Sequence, residues 1–349
     1  MNRSMHFTCR VARLVSAALL VVVANAGTAA EMPAPLNPPQ KVKVAYVPIM
    51  KFATMYVAGQ RGLFKKYGLD VDFERVKSGT EAIAFLTQGS VDVGGIAIVT
   101  SLWNSWNRGL GIRIIAPGGL EPFTNSPTML LVRKALQQEG KVKTVADLKG
   151  KRVAAAGGPG SGGEYQVTKA LERAKLTIRD VELINVANAD MPAALERGSV
   201  DAALAGSPYA DQAINSGHAA VLATDLTPGL MTVAFVGSGK FIKERPEVAE
   251  RFVLALTEAA RMMQGNDYLA PANIEAYMTF ANTTEKAIRE GNPVVYDPDM
   301  KIPFETLGDA ERVYRENGRL EYTKPIDLKV VADDQFVKKA LGILGQYKK

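Results

Sequence analysis

The sequence predicts an α/β fold of two lobes, each a parallel-cored sheet flanked by helices, joined by a hinge that the chain crosses twice. Three observations predict it. Apolar strand runs alternate with helical patterns along most of the chain. The same strand and helix signals recur in the same order at a spacing of 110 positions, closing to 109 at the third match. The 349 residues are enough for about two domains of ~100–200 residues each.

Residues 1–30 read as a leader rather than as part of this fold. Arg3, Arg10 and Arg13 precede the apolar run Leu14 to Ala24, and small residues continue through Thr28 to Ala30. Charge, apolar run and small-residue exit, in that order, make a secretory signal peptide. The run is too short for a bilayer core, which takes roughly 20 residues. Cleavage is expected after Ala30, with Ala26 the alternative, so the protein is expected to be periplasmic. The single cysteine, Cys9, and one of the two histidines, His6, leave with the leader. Cys9 precedes the apolar run and cannot carry a lipid at the cleavage point. A disulfide scaffold, a thiolate nucleophile and a cysteine-rich metal site are thereby excluded. The net charge of +6 falls to +3 with the three leader arginines, and the charges are interspersed. That is a solvated surface and not a nucleic-acid footprint.

After a Pro-rich lead-in, Met32 to Pro39, the first strand runs from Lys41 to Pro48, and its counterpart starts at Lys151. Val71 to Val76 is matched by Val181 to Val186. Leu86-Thr-Gln-Gly-Ser-Val-Asp92 is matched by Leu195-Glu-Arg-Gly-Ser-Val-Asp201. Tyr56 to Tyr67, Glu81 to Gln88, Glu164 to Lys175 and Ala189 to Arg197 carry apolar residues at helical spacing. Gly68, Gly89 and Gly198 stand where a left-handed cap would stop a helix. Strands then follow at Ala220 to Thr224 and Leu230 to Val236, and a long amphipathic helix at Pro246 to Gln264. Tyr268 to Gln346 reads as mainly helical. On this reading lobe 1 comprises residues 31–131 and 232–349, and lobe 2 comprises 132–231 with the hinge crossings.

In open α/β sheets ligands bind beyond the carboxyl ends of the strands. The repeat identifies those loops: Pro48 to Phe52, Ser78 to Thr80 and Ile96-Ala97 in one half; Gly157 to Gly163, Asn188 and Gly206 to Tyr209 in the other. Glu121 to Ser126 is a seventh. The expected ligand contacts are Met50, Lys51, Phe52, Ser78, Gly79, Ile96, Ala97 and Phe123, with Pro159, Gly160, Ser161, Gly162, Asn188, Ser207 and Tyr209. Five glycines in the seven residues from Gly157 to Gly163, ahead of a helix, expose backbone N–H groups suited to an anionic oxygen. The alternative is a tight turn whose glycines serve only geometry. Gly158 to Gly163 also spells G-x-G-x-x-G, but no acid stands at the end of the next strand to hold a ribose. Lys51 either pairs with an anionic ligand or is solvated; Tyr209 and Phe123 either stack on a ligand or pack. Trp103 and Trp106 share a helix face and read as core or lobe contacts. His218 reads as a surface residue after a helix end.

Tyr56-Val-Ala-Gly-Gln-Arg-Gly-Leu-Phe-Lys-Lys-Tyr-Gly-Leu-Asp-Val71, Ser78-Gly79, Leu86, Gly89, Val91-Asp92, Ala146 to Val153 and Ile302-Pro303 with Gly318 and Phe336 together resemble a known family. It is the substrate-binding proteins of the nitrate/sulfonate/bicarbonate and thiamine-precursor ABC transporters. The resemblance implies a bilobal periplasmic-binding-protein-like fold of type II, a small-molecule ligand, an inner-membrane permease as partner, a monomer and no cofactor. It leaves the ligand open between a small organic anion, of sulfonate or carboxylate type, and a neutral pyrimidine-type thiamine precursor. A ligand sensor for a membrane kinase would share these features. The fungal thiamine-pyrimidine synthase shares the fold, but its histidine and cysteine-rich iron motif have no counterpart here, so an enzyme is not expected. Metal capture is not expected for the same reason.

Overall fold

The computed structural model describes residues 31–348; the leader and its cleavage sites lie outside the described residues. Ten strands are formed: β1 (Gln40–Tyr46), β2 (Leu69–Arg75), β3 (Val93–Ala97), β4 (Arg113–Pro117), β5 (Thr128–Arg133), β6 (Arg152–Ala155), β7 (Glu182–Asn185), β8 (Ala202–Gly206), β9 (Ala219–Ala223) and β10 (Val233–Gly237). They make two five-stranded sheets, ordered β2-β1-β3-β10-β4 and β7-β6-β8-β5-β9. In the first, β1 is parallel to β2 and β3, while β10 is antiparallel to β3 and β4. In the second, β6 is parallel to β7 and β8, while β5 is antiparallel to β8 and β9. The sheets thus share one topology: the parallel core that the internal repeat predicts, and an antiparallel fourth strand that the repeat does not contain.

Helices cover both sheets: α1 (Ala53–Gln60), α2 (Leu63–Lys66), α3 (Gly79–Gln88), α4 (Thr100–Asn107), α5 (Lys134–Gln138), α6 (Gly162–Arg173), α7 (Met191–Arg197) and α8 (Tyr209–Asn215). Beyond them come α9 (Gly239–Glu244), α10 (Pro246–Arg261), α11 (Pro271–Ala281), α12 (Glu285–Glu290), α13 (Phe304–Glu316) and α14 (Gln335–Leu344). The expected single helix from Tyr56 to Tyr67 is broken at Gly62, whose φ of 69° separates α1 from α2. Gly89 and Gly198, both at φ 69°, cap α3 and α7 as expected, since only glycine takes that conformation without a Cβ penalty.

The strand alternation sorts the core. Leu130 and Val132 of β5 face one cluster with Val167, Ala170 and Leu171 of α6. Met129 and Leu131 face the other, with Met191, Leu195 and Ala210. Successive side chains point to opposite faces, so one apolar strand serves two layers. The first sheet has a larger core, in which Trp103 is fully buried. Among the described residues no helix is long and apolar enough to cross a membrane.

The position of the first crossing differs from the expectation. Thr128 to Leu131, placed in lobe 1 by the sequence reading, belong to β5 and pair with β8 and β9 of the second sheet. The chain therefore leaves the first sheet after Pro117 and returns to it at Val233. Strand β5 lies outside the repeat, because its partner in position, β10, comes from the far end of the insertion, and no sequence spacing reveals that equivalence. The two crossings run side by side: Leu120 bridges Met231 on one side and Val295 on the other.

Candidate functional site

A cavity of about 80 Å3 lies between the lobes. From the first lobe it is lined by Met50 and Lys51 after β1, Ser78 and Gly79 at the start of α3, and Ala97 at the end of β3. From the second come Gly162 and Gly163 at the start of α6, Asn188 after β7, and Gly206 and Ser207 after β8. The turns after β1 and β6 thus face one shared gap, the arrangement the duplicated halves require. Val47, Ile49, Leu204, Val233 and Val294 make most of the remaining wall aliphatic.

The lobes touch around this cavity. Thr100 donates its N–H (2.9 Å) and its hydroxyl (3.1 Å) to the Gly160 carbonyl across the gap. The Tyr314 hydroxyl lies 2.6 Å from the Ile98 carbonyl and 2.9 Å from that of Ser161. A Cβ built on Gly162 would lie 2.5 Å from the Ala97 Cβ. Glycine is needed there because two backbones from opposite lobes approach that closely.

Two helix N-termini, of α3 and α6, are presented to the cavity from opposite lobes. A helix leaves its first N–H groups without intrahelical partners and carries a partial positive charge at that end. At α6 the Ser161 hydroxyl caps the Glu164 N–H at 3.1 Å. Upstream, the Gly157 N–H donates to the Asn185 side chain at 2.9 Å, and the Gly160 N–H donates to the Glu164 carboxylate. The glycine loop therefore divides. Its early amides are used within the lobe, and only Gly162 and Gly163 line the cavity.

Lys51 is buried rather than solvated, and its ammonium is paired with the Glu121 carboxylate. Glu121 also accepts from Gln166 Nε2 at 2.7 Å and from the Ser126 hydroxyl at 2.6 Å. Thr232 Oγ1 is 3.1 Å from Lys51 Nζ, and Gln166 Nε2 is 3.3 Å from Thr227 Oγ1. Both hinge crossings and both lobes meet at this one carboxylate. Lys51 thus lines the cavity with its charge already matched.

Of the expected contacts, Met50, Lys51, Ser78, Gly79, Ala97, Gly162, Asn188 and Ser207 line the cavity. The others do not. Phe52 is fully buried in the first core, edge-on to Phe235 at 5.7 Å. Ile96 faces that same core from β3. Pro159 is exposed, Gly160 holds the lobe contact with Thr100, and Ser161 is the helix cap. Phe123 is 78% exposed over Gly229. Tyr209 is buried at the start of α8, where burial pushes its hydroxyl pKa upward. Trp103 and Trp106 pack on the first core, and His218 is exposed beside Glu196.

The sequence reading missed Gln166, Thr128, Thr232 and Val294, all in the wall. Gln166 is four residues after Gly162 on the same helix, so helical spacing carries the signal. Val294 comes from a loop far along the chain, and nothing local marks it.

Residues 36–280 match the profile described as the NMT1-like family. A curated binding protein of Brucella abortus is 25% identical over 222 residues, covering 60% of this chain. The match spans 62% of that relative's own length. The 4-amino-5-hydroxymethyl-2-methylpyrimidine phosphate synthase of Candida albicans is 24% identical over 289 residues, 78% of this chain and 79% of the enzyme. Among solved structures, the alkanesulfonate-binding protein SsuA from Xanthomonas axonopodis pv. citri, bound to MOPS, superposes with a TM-score of 0.70 at 18% identity. That superposition covers 86% of this chain and all of the other, 100%. The fold is thus shared with a solved binding protein. The match over residues 36–280 places this chain in the NMT1-like family.

Proposed function

We propose that the protein is the extracytoplasmic substrate-binding component of an ABC importer, taking a small organic anion of sulfonate or carboxylate type between its lobes and delivering it to a permease. The observation that carries this reading is the cavity itself, walled by the strand-end loops of both lobes and spanned by a two-crossing hinge. The anionic head is held by the Gly162 and Gly163 amides and by the start of α3 at Ser78 and Gly79. The aliphatic wall takes a short apolar body. At about 80 Å3 the closed cavity has room for on the order of half a dozen water positions, which sets the scale of the ligand. The likeness to an alkanesulfonate-binding protein supports the head group.

Binding rather than catalysis is supported by the wall. Its polar groups are hydroxyls, amides and one ammonium, and that ammonium is tied to Glu121. The leader carries the chain across the inner membrane, where it acts as a monomer without a cofactor. A neutral pyrimidine-type ligand is the second reading, and the paired charge of Lys51 favours it, because no lysine or arginine in the wall is left unmatched.

Calorimetric titration with short alkanesulfonates, carboxylates and pyrimidines separates the two. An anion that binds with micromolar affinity or better supports the first reading; saturation by pyrimidines alone replaces it with the second. Gly162→Glu is expected to abolish binding, since any side chain there meets Ala97 and holds the lobes apart. Gly162 begins α6 at a conformation open to any residue, so unfolding temperature is expected to change little. Retained affinity in that variant would move the site.

A further inference from the structure

The first lobe holds a second cavity, of about 620 Å3, well above the volume between the lobes. It lies where the turn Gly265–Leu269, helix α12 and the loop 291–296 meet. One wall is aromatic: the Tyr268 and Tyr296 rings are 6.4 Å apart and inclined by only 25°. Met263, Ile288 and Val294 add aliphatic surface. Arg289 is the single cation of the lining. Its partner Glu285 lies one turn back on the same exposed helix face, with side chains 45% and 56% exposed. Such a pair contributes little and is screened by salt, so a ligand carboxylate can compete with Glu285 for the guanidinium.

We propose that this cavity is a second ligand site, for a small aromatic carboxylate whose ring packs on Tyr268, backed by the buried Tyr296, and whose carboxylate pairs with Arg289. Ring and charge are both required by the lining. A flat apolar body matches the part-exposed Tyr268 ring of the stacked pair, and a carboxylate matches the fork of the arginine. The site is one residue away from the cleft. Val294 lines both cavities, and the Tyr296 hydroxyl donates to the Met50 carbonyl, part of the cleft wall. Val295, between them, pairs with Leu120 in the first hinge crossing. An occupant here therefore touches Val294 of the cleft wall and Val295, which is bridged to Leu120 of the first crossing.

Methyl NMR on the purified protein, titrated with naphthalene-2-carboxylate, tests the assignment. Saturable shifts are expected at the Met263, Ile288 and Val294 methyls. Binding is expected to weaken at least fivefold in Arg289→Gln, at least fivefold for naphthalene-2-carboxamide, and to vanish in Asn266→Trp, which fills the mouth from an exposed position. Absence of saturable shifts at those methyls overturns the site, as do shifts confined to Met50, which would place the probe in the cleft. Equal affinity for the carboxamide, or unaltered affinity in Arg289→Gln, overturns the role of the charge and with it the ligand class.

Discussion

Lys51 and Glu121 illustrate how a residue read correctly for place can be misread for chemistry. The position of Lys51 beyond the first strand is legible in the repeat, but its partner stands 70 residues away and no local pattern links them. Two charges removed from water are held only because each satisfies the other and the neighbouring hydroxyls and amide fill the remaining hydrogen bonds. Glu121→Leu leaves a buried ammonium unmatched and is expected to cost ~3–5 kcal/mol. Adding Lys51→Met removes the stranded charge and is expected to recover most of that loss. Denaturant unfolding of the two single variants and the double variant reads this directly; a loss in the double variant equal to the sum of the two single losses would show that the pair is not coupled. The same invisibility explains Phe52 and Ile96, which share loops with cavity residues but point into the core: a one-residue difference along a strand or turn reverses the face.

At the scale of elements, the contact between α6 and α13 holds the lobes together outside the cavity. The Tyr165 hydroxyl donates to Asp309 at 2.6 Å, Arg319 pairs with Glu164 at 2.9 Å, and Asn317 Nδ2 lies 3.1 Å from Thr168 Oγ1. Burial pushes the Asp309 carboxyl up, but bonds from Tyr165 and Arg312 and the nearby Lys169 charge outweigh it and hold the group below the usual aspartate range. The Tyr165 hydroxyl, raised by burial and by Asp309, stays protonated. A lowered carboxylate stabilises the contact at all pH values above the ordinary aspartate range, and the gain is lost as pH falls through the lowered value. Ligand affinity is therefore expected to be flat from neutrality into mild acid and to drop in strong acid. Asp309→Asn should remove the drop and lower the plateau; a variant with the wild-type profile would assign the acid limb to another group. None of this contact is readable in advance, since α13 and α6 lie about 140 positions apart in sequence. The elements themselves are mostly readable. Apolar periodicity and glycine caps locate α3, α6, α7 and α10 to within a few residues, because each is specified by its own turn of chain. What escapes is pairing, as β5 shows.

For the whole molecule, the structure has its lobes in contact across the cleft, with Thr100 on Gly160 and Tyr314 bridging Ile98 and Ser161. A ligand can close such a pair only through its extra affinity for the closed form. Small-angle scattering is expected to give a smaller radius of gyration with a saturating cleft ligand than without one. An unchanged radius would mean that the lobes stay shut and that entry follows another route.

The placing of β10 has a consequence for how the protein is made. The second sheet is complete within one uninterrupted stretch of chain, from Thr128 to Ala223. The first is not: β10 fills the gap between β3 and β4, and it is synthesised after the entire inserted lobe. A nascent chain emerging amino end first can finish its inner lobe while the outer one still has a missing plank, with the apolar faces of β1, β3 and β4 unable to seal. Completion of the outer lobe therefore waits on translation of the whole insertion.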